Sequence, residues 1–353
     1  MLKSDPAAPT APPSVPTLAN GSTSRRETLR IFRSNQSFST GTGTTAHALP
    51  TVLENAPDHR KRSELPGEDA TESDAQLRFA EIEARYLSTL AGYFAGASNA
   101  SNAPATKPSK CSPETMMWRK EWTALTPEEK RSFIASVYCL SKFPSQTNET
   151  VRSQATGVRT RFDDFVLSHI VSTPFVHTNG LFLPFHRHLL YLFDSDLRLK
   201  CGFTGPFPYF DWSRTWKDPR QHPVFDGSPL SLGGNGKMLP DTRPPIIISL
   251  PPNETVVIPP ATGGGCVTDG PFSKDKFEVH LGPIGYEPQG PNGGLGNNPR
   301  CIQRDLSPYW SRFTAPSKVV SMIDDCGDDL GCFNLRMDYD ETGQPGGVHA
   351  AGH

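Results

Sequence analysis

Hydrophobic positions are unevenly distributed along the chain, and their spacing divides it into regions of different character. Residues 1–71 are rich in Ser, Thr, Pro and Ala, hold few aromatics and show neither a helical nor a strand period. Such a segment cannot bury enough apolar surface to offset the entropy of ordering, so an arm without fixed structure is expected. From Asp74 the pattern changes. Leu77, Phe79, Ile82, Tyr86, Leu90, Tyr93 and Phe94 recur near helical spacing and predict an amphipathic helix over 72–95, with a polar linker over 96–110. The main domain is expected over 111–353.

Within that domain, LTPEEKRSFIASVYCLSKFPS predicts a helix of about fifteen residues. Thr126 stands at its N-cap, Pro127 at the first helical position and Glu129 where a capping box closes, and Pro144 lies beyond the end. Two more helices are expected around RFDDFVLSHIVS and LFLPFHRHLLYLFDSDLRLK, separated by a break containing Pro174 and the Asn179-Gly180 turn. After Cys201 the chain turns to loop for about a hundred residues, with a short strand expected only at Val256 to Ile258. The fold class is therefore mainly α with long irregular loops.

Composition agrees: 30 glycines, 35 prolines and a hydrophobic share of 35% leave room for much irregular chain. A net charge of −2 provides no basic field for nucleic acid. No run approaches the roughly 18 apolar residues that span a bilayer, so no membrane partner is expected. The N-terminal MLKSDPAAPTAPPSVP lacks the apolar stretch of a secretory signal, whereas seven cysteines and sequons at Asn20, Asn35, Asn99, Asn148 and Asn253 point to an oxidising compartment. The pairing of the cysteines cannot be read from their spacing.

The histidines carry the chemistry. Of ten, five fall in two clusters: His169, His177 and His186, then His349 and His353. Phe162, Phe165, Val166 and His169 lie at i, i+3, i+4 and i+7, so His169 shares the inward stripe of its helix. Phe182, His186, Leu189, Leu190, Phe193 and Leu197 form the matching stripe of the next helix, and His188, about 200° round from His186, points away. A single inward histidine is usually a hydrogen-bonded core residue. Two on neighbouring helices, with His177 on the connector, fit a metal site instead, because neutral imidazoles bind copper, zinc or iron and three of them leave coordination positions open. His349 and His353, at i and i+4 after Gly346-Gly347, could grip a second ion from one helical face.

The stretch HTNGLFLPFHRHLLYLFDSDLR resembles the copper A signature of tyrosinases. His169, His177 and His186 match its three ligands, and FLPFHR stands where the family has its FLPWHR-like run. PFPYFDWSRTW is similar to the family's PYWDW-like motif through Tyr209, Phe210, Asp211 and Trp212, and GGVHAAGH resembles the start of copper B. The Cys-rich segments resemble the short secreted fungal branch, and the likeness spans about residues 75 to 353. It implies a four-helix-bundle core, copper as cofactor with two ions in the family, and oxidation of phenols or o-diphenols to o-quinones by molecular oxygen. The implied partners are thus a small phenol and oxygen.

Three departures accompany the resemblance. Only five of the six histidines expected of a dicopper centre are present, so the bundle is expected to be incomplete at the C-terminus, with one copper held here. Phe175 stands where many fungal members have a cysteine cross-linked to the second copper A histidine, and Ala350 follows the first copper B histidine where monophenol-hydroxylating relatives often have Asn. The alternative function is a non-catalytic copper-binding fragment that keeps only the copper A triad. A zinc hydrolase is disfavoured because no Glu stands in an HExxH-like relation to a histidine pair.

Overall fold

The computed structural model describes residues 72–99, 117–177, 179–240, 243–250, 254–284 and 289–338. All fall in one unit, Pro66–His353. The arm over 1–71, the segment 100–116 with Cys111, and His349 and His353 lie outside the described residues.

Among the described residues, six helices longer than one turn run in the order α1 (Glu72–Asn99), α2 (Pro127–Leu140), α3 (Arg161–Val176), α4 (Phe182–Cys201), α5 (Pro316–Cys326) and α6 (Leu330–Asp338). The starts of α2 and α3 are set by local chemistry. Thr126 with Glu129, and Thr160 with Asp163, each form a reciprocal capping box that satisfies two otherwise orphaned N–H groups. Gly202 ends α4 in a left-handed conformation, φ 67°, which a glycine adopts without steric cost.

Helices α2, α3 and α4 pack together around a core that includes Trp122, Phe133, Phe165, Leu197, Phe203 and Phe207. Aromatic edges meet faces through this core: Phe165 on Phe193 at 5.2 Å, Phe193 on Phe207 at 6.2 Å and Phe207 on Phe133 at 5.7 Å. A disulfide between Cys139 and Cys201 joins the C-terminal ends of α2 and α4. At that end Arg161 bridges Asp164 of its own helix, at 3.0 Å, and Asp196 of α4, at 2.5 Å.

Strand β1 (Arg119–Glu121) pairs in parallel with β2 (Phe207–Tyr209), which brings the segment before α2 beside the chain leaving α4. The long connection that follows is more ordered than its Gly and Pro content suggests. Strand β3 (Gly236–Met238) pairs with β6 (Gly264–Val267), and β4 (Ile246–Leu250) with β5 (Glu254–Ile258) in an antiparallel ladder. The run PPIIISLPPNETVVIPP, expected to be loop apart from Val256 to Ile258, is thus a hairpin. Pro244, Pro245, Pro259 and Pro260 sit outside the paired residues, where no ladder hydrogen bond is lost.

Two further expectations are corrected. Pro174 does not break α3, because it sits in the last turn and removes only the N–H that would have reached the Ile170 carbonyl; the break comes at His177. On α1, which runs on to Asn99, Leu77 and Tyr86 are exposed. The helix docks through Ala75, buried, and through polar contacts: Arg78 makes two 3.1 Å bonds to Asp324, and Glu72 accepts from the Ser317 N–H at 2.9 Å. Glu72 thereby caps α5, whose own N-cap residue, Ala315, has no side chain able to do so.

Candidate metal centre

The site lies where α3 ends and α4 begins. His169 stands in the third turn of α3, His177 is the first residue past its end, and His186 is in the second turn of α4. The chain leaves the helix at His177 with extended dihedrals, φ −101° and ψ 157°. Asn179 then closes the connector. Its side-chain amide donates to the carbonyls of Phe175, at 3.1 Å, and His177, at 2.7 Å, while its oxygen accepts from the Leu181 N–H at 2.9 Å. The Asn179-Gly180 pair read as a turn is therefore an Asx turn that satisfies helix-end groups on both sides.

The three imidazoles, each half-buried, offer ligand atoms that all lie within 4.8 Å of one another. His169 Nε2 and His186 Nε2 are 3.2 Å apart. His186 Nδ1 lies 2.7 Å from the carbonyl of Phe182, and His177 Nδ1 lies 3.1 Å from that of Thr173; each partner is four residues back. A carbonyl can only accept, so in both rings Nδ1 carries the proton and Nε2 presents a lone pair. Such a bond from the far ring nitrogen to a carbonyl is what orients histidines that hold metals. Nitrogens bound at about 2.05 Å with near-tetrahedral angles are separated by roughly 3.3 Å, close to the spacing of His169 and His186, so these residues fit a metal ion.

The surroundings favour neutral ligands. Burial pushes the His186 imidazolium below its ordinary pKa, and the charge of His177 adds to this, while the Phe182 carbonyl and Asp338 act in the opposite direction. Phe182 packs on His186 with ring centroids 4.6 Å apart and on His177 at 5.4 Å. Phe185 stands 5.2 Å from His186 and 6.4 Å from His169.

The other histidines among the described residues are placed elsewhere. His188 is exposed, on the side of α4 away from His186. His222 is 1% exposed and faces Glu121 at 3.1 Å. His280 lies against Asp163 at 2.9 Å, at the N-terminal end of α3 and away from the triad. In the inward stripe of α4, Leu190 departs from expectation: it is 37% exposed, while Phe182 and Leu197 are buried. Phe175, on the last turn of α3, is exposed. Two asparagines of the site are not evident from the sequence reading, Asn179 as more than a turn former and Asn334 of α6. A polar residue in an apolar helical run is the signal that could have marked Asn334.

Residues 159–353 match the family model described as the common central domain of tyrosinase. Tyrosinase P of Aspergillus terreus is 36% identical over 239 residues, which cover 67% of this chain and 65% of that protein. An N-acetyl-6-hydroxytryptophan oxidase of Emericella nidulans is 37% identical over 260 residues, 69% of this chain and 67% of the relative. Among solved structures, a polyphenol oxidase variant from Thermothelomyces thermophila superposes with a TM-score of 0.62 at 31% identity, covering 79% of this chain and 68% of that one. Its likeness extends to a mainly helical fold of the tyrosinase type. The chain spans about two thirds of the length of these relatives.

Proposed function

The chain belongs to the tyrosinase family of copper oxidoreductases, and on that premise we propose that it oxidises phenols or o-diphenols to o-quinones with molecular oxygen. His169, His177 and His186 are the ligands of one copper. His349 and His353, outside the described residues, contribute to a second. The observation that carries this reading is the convergence of three imidazoles from α3, its C-terminal end and α4, two of which present Nε2.

Copper in such a site supplies a redox-active ion that moves between Cu(I) and Cu(II). The chain's own groups do the rest. The carbonyls of Thr173 and Phe182 hold the His177 and His186 rings so that their lone pairs need no reorientation. Three neutral ligands add no charge of their own to the ion as it changes oxidation state. Phe182 and Phe185 cover the rings and limit water at the site. A substrate must supply two electrons and two protons per quinone formed, which an o-diphenol does. The names of the relatives, a tyrosinase and a hydroxytryptophan oxidase, both point to hydroxylated aromatic substrates.

Copper per chain and oxygen uptake with a catechol substrate test the proposal. The triad gives one tightly held copper per chain, and a second at His349 and His353 raises this to two. Oxygen uptake that depends on copper and is not restored by zinc supports the activity. Tight copper without any uptake favours a non-catalytic copper binder, and no tight copper overturns both.

A further inference from the structure

Helix α6 places a buried amide against the backbone that carries the metal centre. Asn334, 5% exposed, donates from Nδ2 to the carbonyl of Asn179 at 2.8 Å and accepts at Oδ1 from the N–H of Leu183 at 3.1 Å. These partners lie 155 and 151 residues away in sequence, on the connector between His177 and His186 and in the first turn of α4. The N-cap residue of α4, Leu181, makes no side-chain cap, so the Leu183 N–H is one of the donors that a helix start leaves without an intrahelical partner. Asn334 supplies that cap from another helix, and with the same amide fixes the carbonyl two residues after His177.

We infer that Asn334 is a positioning residue for the histidine triad, setting where the Nε2 atoms of His177 and His186 meet by locking the connector to the first turn of α4. This rests on the proposed role of the triad in holding copper. The carbonyl that orients His186 and the backbone of His177 both adjoin what Asn334 grips. Phe182, which aims His186, is the neighbour of Leu183, and the His177 carbonyl is held by Asn179, whose own carbonyl takes the Asn334 amide. A shift of the connector therefore turns two rings at once.

The support for Asn334 is itself rigid. A disulfide between Cys326 and Cys332 ties the end of α5 to the first turn of α6, and Arg336 pairs with Asp325 at 2.6 Å. Asp338, one turn after Asn334 and on the same helical face, is likewise buried, so α6 presents a polar i, i+4 pair where an apolar stripe would be ordinary. A group held by such a frame can fix the geometry of its neighbours to the tolerance that metal binding needs.

Two substitutions separate positioning from mere stability. Asn334→Asp keeps an oxygen for the Leu183 N–H, and its negative charge suits a helix start, but it loses the donor to Asn179. Asn334→Leu loses both bonds. The full-length chain is titrated with cobalt(II), reading affinity and the visible absorption band that reports coordination geometry, and melting curves are taken without metal. The expected result for Asn334→Asp is a folded protein whose melting temperature falls less than that of Asn334→Leu, with cobalt affinity 10- to 100-fold weaker and an altered band, the range found when groups orienting metal ligands are removed. Asn334→Leu is expected to lose affinity and stability together. Wild-type affinity and band in Asn334→Asp overturn the inference, as does a loss of affinity that only follows a loss of fold. His186→Ala is the control: if it titrates like the wild type, the assignment of the triad as ligands fails, and that failure is distinguishable from failure of the Asn334 inference alone.

Discussion

His222 Nε2 lies 3.1 Å from Glu121 Oε1, and both side chains are almost wholly buried. His222 Nδ1 accepts from the Val224 N–H at 3.2 Å, so the imidazole proton is on Nε2 and is donated to the carboxylate. The other carboxylate oxygen accepts from Thr123, through its N–H at 2.7 Å and its hydroxyl. Phe210, of the motif that resembles PYWDW, packs on His222 with centroids 4.6 Å apart. This pair therefore binds β1 to the loop after β2. Glu121→Ala leaves the Nε2 proton without its acceptor and is expected to destabilise the fold by about 1–3 kcal/mol, measured by denaturant unfolding. Glu121→Gln, which keeps an acceptor, is expected to cost less.

The same pair sets a pH dependence. Burial pushes His222 below its ordinary value of 6.5 despite Glu121, so the unfolded chain takes up a proton before the folded one. Stability must then decline as pH falls through 6.5 toward the folded value. Burial alone would raise Glu121, but the hydrogen bonds from Thr123, aided by the charges of Arg214 and His222, hold it below 4.5. Its contribution is present above 4.5 and is lost as pH falls further. Unfolding free energies between pH 8 and 4 should show the first decline, and His222→Gln should remove the part that begins near 6.5.

At the triad, alanine at His169, His177 or His186 is expected to abolish tight copper binding, whereas His188→Ala, an exposed position on the far side of α4, leaves it unchanged. Copper per purified chain after dialysis against a chelator provides the readout. Retention of copper in His186→Ala would rule out the proposed ligand set. In the metal-free protein, burial keeps the His186 ring neutral at pH values where an exposed histidine is half-charged, so its proton NMR titration should have a midpoint below 6.5.

Stability and metal binding should separate at the other end of the bundle. The Cys139–Cys201 disulfide closes a loop of 62 residues, worth about 4 kcal/mol if it acts by restricting the unfolded chain. Cys201 lies fifteen residues along α4 from His186, roughly 22 Å at the helical rise. Replacing both cysteines by serine should lower the melting temperature while copper per folded chain stays as in the wild type. Loss of copper in a variant that remains folded would show that the two ends are coupled.

What the sequence by itself determined is local. The capping boxes at Thr126 and Thr160 need residues only three apart, and the inward placement of His169 and His186 follows from the period of one helix, so both could be read without a fold. His177 could be read as a connector residue because Asn179 and Gly180 mark the turn beside it. The resemblance added copper and the reaction class through contiguous motifs. Tertiary structure decided whatever depends on partners distant in sequence. Asn334 meets Asn179 across 155 residues and His222 meets Glu121 across 101, and neither spacing leaves a periodic trace. The same holds for the pairing of six cysteines and for that of β4 with β5, because Pro244, Pro245, Pro259 and Pro260 read as loop in the sequence although they lie outside the ladder. It holds also for Leu77 and Leu190, apolar at helical spacing yet exposed, because periodicity gives the relative angle of side chains on a helix and only packing against a neighbour decides which side is covered.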